Sequence, residues 1–238
     1  MADAPPRAIL FDVFGTVVDW RGSVIADLSA WGGARGLAAD WAGLADAWRG
    51  AYAPSMDEVR RGIRPWTLLD DLHRDSLRHL LPRFGIACLD DAAIEHINRV
   101  WHRLAPWPDS VPGLTRLKRR HIVAPLSNGN FSLLVDLAKF AGLPWDAVFA
   151  SDLFGHYKPD PQTYLGACRL LGLPPRSVML AAAHAGDLAA AQHLGLRTAF
   201  IARPLEHGPA GKPEPAGVWD FSTSSIAELA DRLGAPLA

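Results

Sequence analysis

The sequence predicts an α/β fold: a doubly wound, mostly parallel sheet with a helical cap inserted after its first strand. Three observations predict it. Apolar runs of strand length recur along the chain, and each main run but the last is followed by a polar or glycine-rich break and a helix-like stretch. The segment between the first two runs is helical in pattern throughout. At 238 residues the chain suits one large α/β domain, or a core with a smaller inserted one. Such a length buries about 70% of the surface exposed by the unfolded chain, enough for a full apolar core.

The strands read at RAILFDV, RHIVAPLSN, AVFASD, SVMLAAA and TAFIAR, with GVWDFS as a later strand-like run. They do not alternate cleanly between apolar and polar, as expected of strands covered on both faces. Helices read at 129–140, 161–171, 188–194 and 225–233, and Gly142, Gly172 and Gly195 stand close behind the first three as stop signals. From about 20 to 107 the runs VIADLSAW, WAGLADAWRGAY, the stretch 67–81 and AAIEHINRVWHRL are helical, and LAPWPDSVPG leads back to the sheet. The expected division is a core of 1–18 with 108–238 and a cap of 19–107. A cap entering there lies over the carboxyl ends of the strands, where open α/β sheets bind ligands, and it can shut water out. The Pro/Gly loop LEHGPAGKPEPAG, 205–217, receives no role.

Composition narrows the function. Lys and Arg total 24 against 25 Asp and Glu, for a formal charge of -1, so no basic face is expected and nucleic acid is not an expected partner. Cys88 and Cys168 lack metal-ligand spacing and suit a reducing cytoplasm. No apolar run approaches the length of a membrane span, and the start of the chain has no export-signal pattern. The expected location is the cytoplasm. Nine Trp, several outside the strands, suit a domain junction or an oligomer interface.

Polar residues gather at the strand ends. Asp12 ends the first strand and opens DVFGT, where a carboxylate can be a nucleophile, a metal ligand or a turn cap. Ser127 and Asn128 end the second strand, Lys158 follows the third, and His184 and Asp187 follow the fourth. If the strands are parallel, all of these fall on one edge. Lys158, in an otherwise apolar context, needs a buried anion, and Asp12 is the obvious one.

FDVFGT, WRGAY, LSNG, YKPDPQTY and the GD beyond the fourth strand, in that order, resemble the haloacid dehalogenase superfamily, and within it the type II (S)-2-haloacid dehalogenases. The resemblance implies a Rossmannoid core with a cap, no cofactor and no metal, a small anionic 2-halocarboxylate substrate, and a homodimer. It implies that the Asp12 carboxylate displaces halide from C2 and that water then hydrolyses the aspartyl ester. Thr16 then orients Asp12 or the substrate carboxylate, and Arg49 meets the halide and the substrate carboxylate. Ser127 and Asn128 bind the carboxylate and halide sides. Lys158 holds Asp12 ionised, Tyr164 supports the pocket, and Asp187 orients Lys158 and the water. Phe14 and Trp66, with Trp20 and Trp48, are candidates for an apolar pocket wall.

Phe14 also bears on the reaction. Phosphatases of the superfamily place a proton-donating aspartate there, which a departing alkoxide needs and a departing halide does not. Asp187 is followed by LAAAQ, a thin oxygen supply for magnesium. A magnesium-dependent phosphatase or phosphonatase nevertheless remains open, as does a non-catalytic carboxylate-binding module. Two departures stand out: Ala182 and His184 occupy positions where relatives carry serine and asparagine. His184 can activate water, donate to the leaving halide, or simply be part of the structure. A donor there would suit fluoride, whose charge is concentrated, and would extend the expected substrates to fluoroacetate.

Overall fold

The computed structural model describes residues 4–209, 211 and 217–236; part of the 205–217 loop therefore lies outside the described residues. Six strands form one sheet: β1 (Ala8–Phe11), β2 (Ile122–Ser127), β3 (Phe149–Ala150), β4 (Val178–Ala182), β5 (Arg197–Ile201) and β6 (Phe221–Thr223). Their order is β3-β2-β1-β4-β5-β6, and every pairing is parallel. β1 is wholly buried, with β2 on one side and β4 on the other. The strand order therefore reverses at β1, which makes its carboxyl end the crevice-forming switch point of the sheet.

The βα rhythm holds, with one shortening. AVFASD reads as a strand, but only Phe149 and Ala150 pair, with Leu126 and Ser127. The polar residues that follow serve the neighbouring loop instead. Ser151 Oγ donates to the Asn128 carbonyl, and the Asp152 carboxylate accepts from Phe131 N–H, a donor left open at the start of α6 (Phe131–Ala141). α7 (Pro161–Leu171) and α6 both stop at glycines in the left-handed region, Gly172 and Gly142, each at φ 65°. α8 (Ala185–His193) follows β4, and α9 (Ile226–Arg232) follows β6.

Between β1 and β2 lie α1 (Trp20–Gly33), α2 (Trp41–Arg60), α3 (Leu69–Leu80), α4 (Asp91–Asn98) and α5 (Ser110–Leu117). Asp19, Asp40 and Asp90 cap α1, α2 and α4 by accepting the backbone N–H three residues on. The first four helices form the cap, and α5 returns to pack on α9, where Gly113 lies against Ile226. The outgoing and returning chains run side by side, joined by Asp19 N–H to the Ala105 carbonyl and Trp107 N–H to the Val17 carbonyl.

Alternate residues of each central strand feed opposite faces. Ala8, Leu10, Leu126 and Leu180 pack with α7 and α8, while Ile9, Phe11, Val123 and Met179 join a cluster that continues into the cap. Trp20, Trp48 and Trp101 sit in that continuation, with ring centroids 5.4 Å (Trp48–Trp101) and 6.2 Å (Trp20–Trp101) apart. Cap and sheet thus share one apolar core, which accounts for much of the tryptophan. Among the described residues no helix is long and apolar enough to cross a membrane.

Candidate active site

Asp12 leaves β1 at the switch point, its N–H bonded to the Ala181 carbonyl, which aims the side chain along the crevice. The residue is 8% exposed, and both carboxylate oxygens are engaged. Oδ1 accepts from Lys158 Nζ at 2.9 Å; Oδ2 accepts from Thr16 Oγ1 at 2.8 Å and from His184 Nδ1 at 3.0 Å. Burial works against an ionised Asp12, but the charge of Lys158 and the hydrogen bond and charge of His184 overcome it. The carboxyl is held far below the usual carboxylate range.

Lys158 reaches Asp12 because its backbone N–H is fixed by Asn128 Oδ1 at 2.7 Å, tying the third strand's loop to the second's. Its ammonium also bonds Asp187 Oδ2, and Asp187 Oδ1 accepts from the Tyr164 hydroxyl at 2.6 Å. Burial disfavours the Lys158 charge, but Asp12 and Asp187 more than offset this and its pKa is raised. Burial, with the Asp187 charge behind it, keeps the Tyr164 phenol protonated. Thr16 is held in turn, its hydroxyl oxygen accepting from Ala183 N–H at 2.9 Å. Ser127 is buried, and its Oγ accepts from Gly129 N–H at 3.1 Å.

The cap supplies the opposite wall. On α2, Arg49, Tyr52, Ala53 and Met56 fall at i, i+3, i+4 and i+7, one helix face, and all four line a cavity of about 370 Å³. Asp12, Asn128, Lys158, Tyr164, His184 and Asp187 line its other side. The Arg49 guanidinium lies 4.2 Å from the centre of the Tyr52 ring and 5.5 Å from that of Trp20, and its buried Nη1 has no protein partner. A buried guanidinium donor left open beside a cavity is a site for an anion.

Phe14 and Trp66 are not part of the lining. Phe14 is buried edge-on against Tyr52 and Trp101, behind the wall, because the turn after Asp12 directs it into the shared core. Trp66 lies over Tyr157, 38% exposed. Trp20 and Trp48 belong to the core cluster, also behind the wall.

Residues 6–195 match the haloacid dehalogenase-like hydrolase family. The chain belongs to that family. Within these hydrolases its likeness is to the (S)-2-haloacid dehalogenases. It is 30% identical to (S)-2-haloacid dehalogenase 4A of Burkholderia cepacia over 205 residues, 83% of each protein. It superposes on a crystal structure of a defluorinating L-2-haloacid dehalogenase with a TM-score of 0.94 and 50% identity, covering 97% of this chain and 96% of that one. It also superposes on the L-2-haloacid dehalogenase of Xanthobacter autotrophicus with chloropropionic acid covalently bound, with a TM-score of 0.80 and 25% identity over 98% and 100%.

Two site residues of this hydrolase escape a reading of its sequence. Tyr52 carried a usable signal, since it stands one helical turn from Arg49. Burial pushes its phenol up, so it keeps its proton. Glu206 carried none, because it lies in the loop to which no role was given. It is 4% exposed, accepts from Trp20 Nε1 at 3.1 Å, and meets His184 Nε2 at 3.0 and 3.1 Å. Burial opposes its charge, but the His184 hydrogen bond outweighs this and its carboxyl is lowered. His184 is therefore flanked on both ring nitrogens. Burial disfavours its charged form, yet the bonds and charges of Asp12 and Glu206 push it up to about 10.

Proposed function

We propose that the chain hydrolyses short 2-haloalkanoic acids to 2-hydroxy acids through an ester on Asp12. The observation that carries this reading is an ionised, lysine-held Asp12 facing a small cavity whose far wall offers the unpartnered Arg49 Nη1. Asp12 attacks C2 from the side opposite the halogen, inverting a chiral centre and expelling halide toward Arg49 and the Tyr52 hydroxyl. Water then adds to the ester carbonyl carbon, with Asp187 and Lys158 placing it, and the 2-hydroxy acid leaves. Thr16, Ser127 and Asn128 hold the geometry of the nucleophile and of Lys158, and Tyr164 steadies Asp187.

Holding both reactants in one cavity removes several kcal/mol of entropic barrier, up to ~7–11 in the best-aligned cases. Residues 19–107 act as the lid over a core of 1–18 and 108–238. Phe14 supports displacement of halide over phosphate-ester hydrolysis, because a ring packed on Trp101 supplies no proton to an alkoxide. The covalently bound chloropropionic acid in the Xanthobacter relative supports an ester intermediate, and the defluorinating relative supports fluoroacetate as a further substrate. A homodimer and a cytoplasmic location complete the proposal.

The test is halide release from chloroacetate, 2-chloropropionate and fluoroacetate in the presence of a chelator. Release that survives chelation, with none from Asp12→Asn, supports the reading. Phosphate release that requires magnesium would replace it with a phosphatase. Carboxylate binding without turnover would replace it with a binding module.

A further inference from the structure

We infer that Glu206 is a positioning residue that keeps His184 cationic after Asp12 has lost its charge to the ester, so that the imidazolium, with Thr16, stabilises the oxyanion formed when water attacks. The inference rests on the aspartyl-ester reading above.

The geometry states the first half. His184 Nδ1 faces Asp12 Oδ2 and Nε2 faces both Glu206 oxygens. Carboxylates only accept, so both nitrogens donate and the ring is charged. Each carboxylate alone satisfies one nitrogen. When Asp12 becomes an ester its charge disappears and its carbonyl oxygen is a weaker acceptor; Glu206 is then the carboxylate still touching the ring. The structure is built to keep it there. Trp20 Nε1 fixes Oε1, and Gly15, at φ +87°, makes room: a Cβ at that position would lie 2.2 Å from Oε1. The other ionisable groups around His184 are His207 against Glu206, Arg49 on α2, and the Lys158–Asp187 pair beyond Asp12 Oδ1.

The second half follows from which oxygen carries fewer donors. Oδ2 carries two donors and Oδ1 one, so Oδ1 forms the bond to C2 as the carbon–halogen bond breaks and halide leaves with the bonding pair. Oδ2 becomes the ester carbonyl. Water then adds to Cγ, and charge collects on Oδ2, where the Thr16 hydroxyl and His184 Nδ1–H already point. Collapse breaks the Cγ–Oδ1 bond, and Oδ1 departs as the product hydroxyl with one proton from the water. The second proton passes to solvent by way of Asp187, and Asp12 is again a carboxylate, now holding the water oxygen. A cationic His184 serves as donor throughout and removes no proton from water.

The experiment is rapid-quench turnover of 2-chloropropionate by wild type, Glu206→Gln and Glu206→Asp. Halide and the intact-protein mass are followed across pH. For Glu206→Gln the expected result is a retained halide burst, accumulation of the protein ester, and ester hydrolysis slowed about tenfold or more; deleting an oxyanion donor outright costs ~10²–10³. The alkaline fall of the hydrolysis rate should move to lower pH, and Glu206→Asp should restore part of the rate. Trp20→Phe, which removes the indole donor to Glu206 along with part of a buried ring, should shift the alkaline fall the same way by less, and it serves as the test if Glu206→Gln does not fold. Ester hydrolysis in these variants that matches wild type, or rises with pH as for a histidine base, overturns the inference. Absence of any protein ester, with Asp12→Asn still releasing halide, overturns the underlying reading instead.

Discussion

Two histidines in this protein sit between two carboxylates, and their surroundings give them different work. His184 bridges Asp12 and Glu206 beside the cavity and is a third exposed. His102 bridges Asp70 on α3 at 3.1 Å and Asp136 on α6 at 2.9 Å, and its side chain is 5% exposed. The second trio joins the cap to the core, and Asn130 adds a further bond to Asp70 at 3.0 Å. Burial opposes the Asp70 charge, but the His102 hydrogen bond outweighs it and the carboxyl is lowered. That trio also carries a cation, Arg99, whose Nη2 donates to Asp136 at 2.5 Å, but Arg99 and Asp136 are nearly half exposed and no member of the trio lines the cavity beside Asp12. The same bonding pattern is thus a latch where its members tie cap to core, and, in the proposed mechanism, a reactive donor where one member attacks substrate from beside a cavity.

The sharpest way to break the comparison is to alter one residue in each place. Asp12→Asn should lower halide release about 10⁴-fold or more while thermal stability stays measurable, since removal of a covalent nucleophile eliminates the first step. His184→Gln should slow turnover ~10²–10³-fold, read as a fall in kcat. His102→Gln should leave kcat within severalfold and lower the unfolding free energy by about 1–3 kcal/mol, as for a buried polar group left unpaired, read by urea denaturation. If His102→Gln were the slower enzyme, the distinction between latch and donor would fail. Arg49→Lys should raise KM by about tenfold with a smaller effect on kcat, because an ammonium loses the planar fork that meets an anion.

Stability against pH gives the smallest effect and sharpens the comparison further. The folded pKa of His184, about 10, exceeds its ordinary 6.5, so its contribution is complete below about 6.5 and is lost as pH rises through 10. His73 has the opposite sign. It is buried in the cap with both ring nitrogens unpartnered and a ring stacked 4.5 Å from Trp101, and burial lowers it to about 3. Its contribution is complete above about 6.5 and is lost as pH falls toward 3. Melting temperature should therefore decline on both flanks, His184→Gln flattening the alkaline side and His73→Phe the acid side.

Local chemistry made much of this legible. Five apolar runs marked the main strands, glycines marked three helix ends where φ turns positive, and polar residues at successive strand ends pointed to a common edge. Asp12 and Lys158 could be paired in advance because parallel strands bring their carboxyl ends together, and the family resemblance added Asp187. The fate of Phe14 and Trp66 was not legible, since an aromatic near a crevice fits a pocket wall and a core equally well by composition. Only the packing of Phe14 on Tyr52 and Trp101 separates the two.

By itself the sequence determined the sheet, the helical insertion and the carboxylate–lysine pair, because strand periodicity, turn residues and buried charge act over a few residues or follow from parallel pairing. The tertiary structure alone decided that the α2 face bearing Arg49 and Tyr52 turns toward Asp12 and that Glu206 closes on His184. Glu206 and Trp20 meet across 186 residues of chain, through a loop whose own composition is that of an ordinary turn. No local pattern encodes such a contact; it exists because the cap and the last strands fold against the same end of β1.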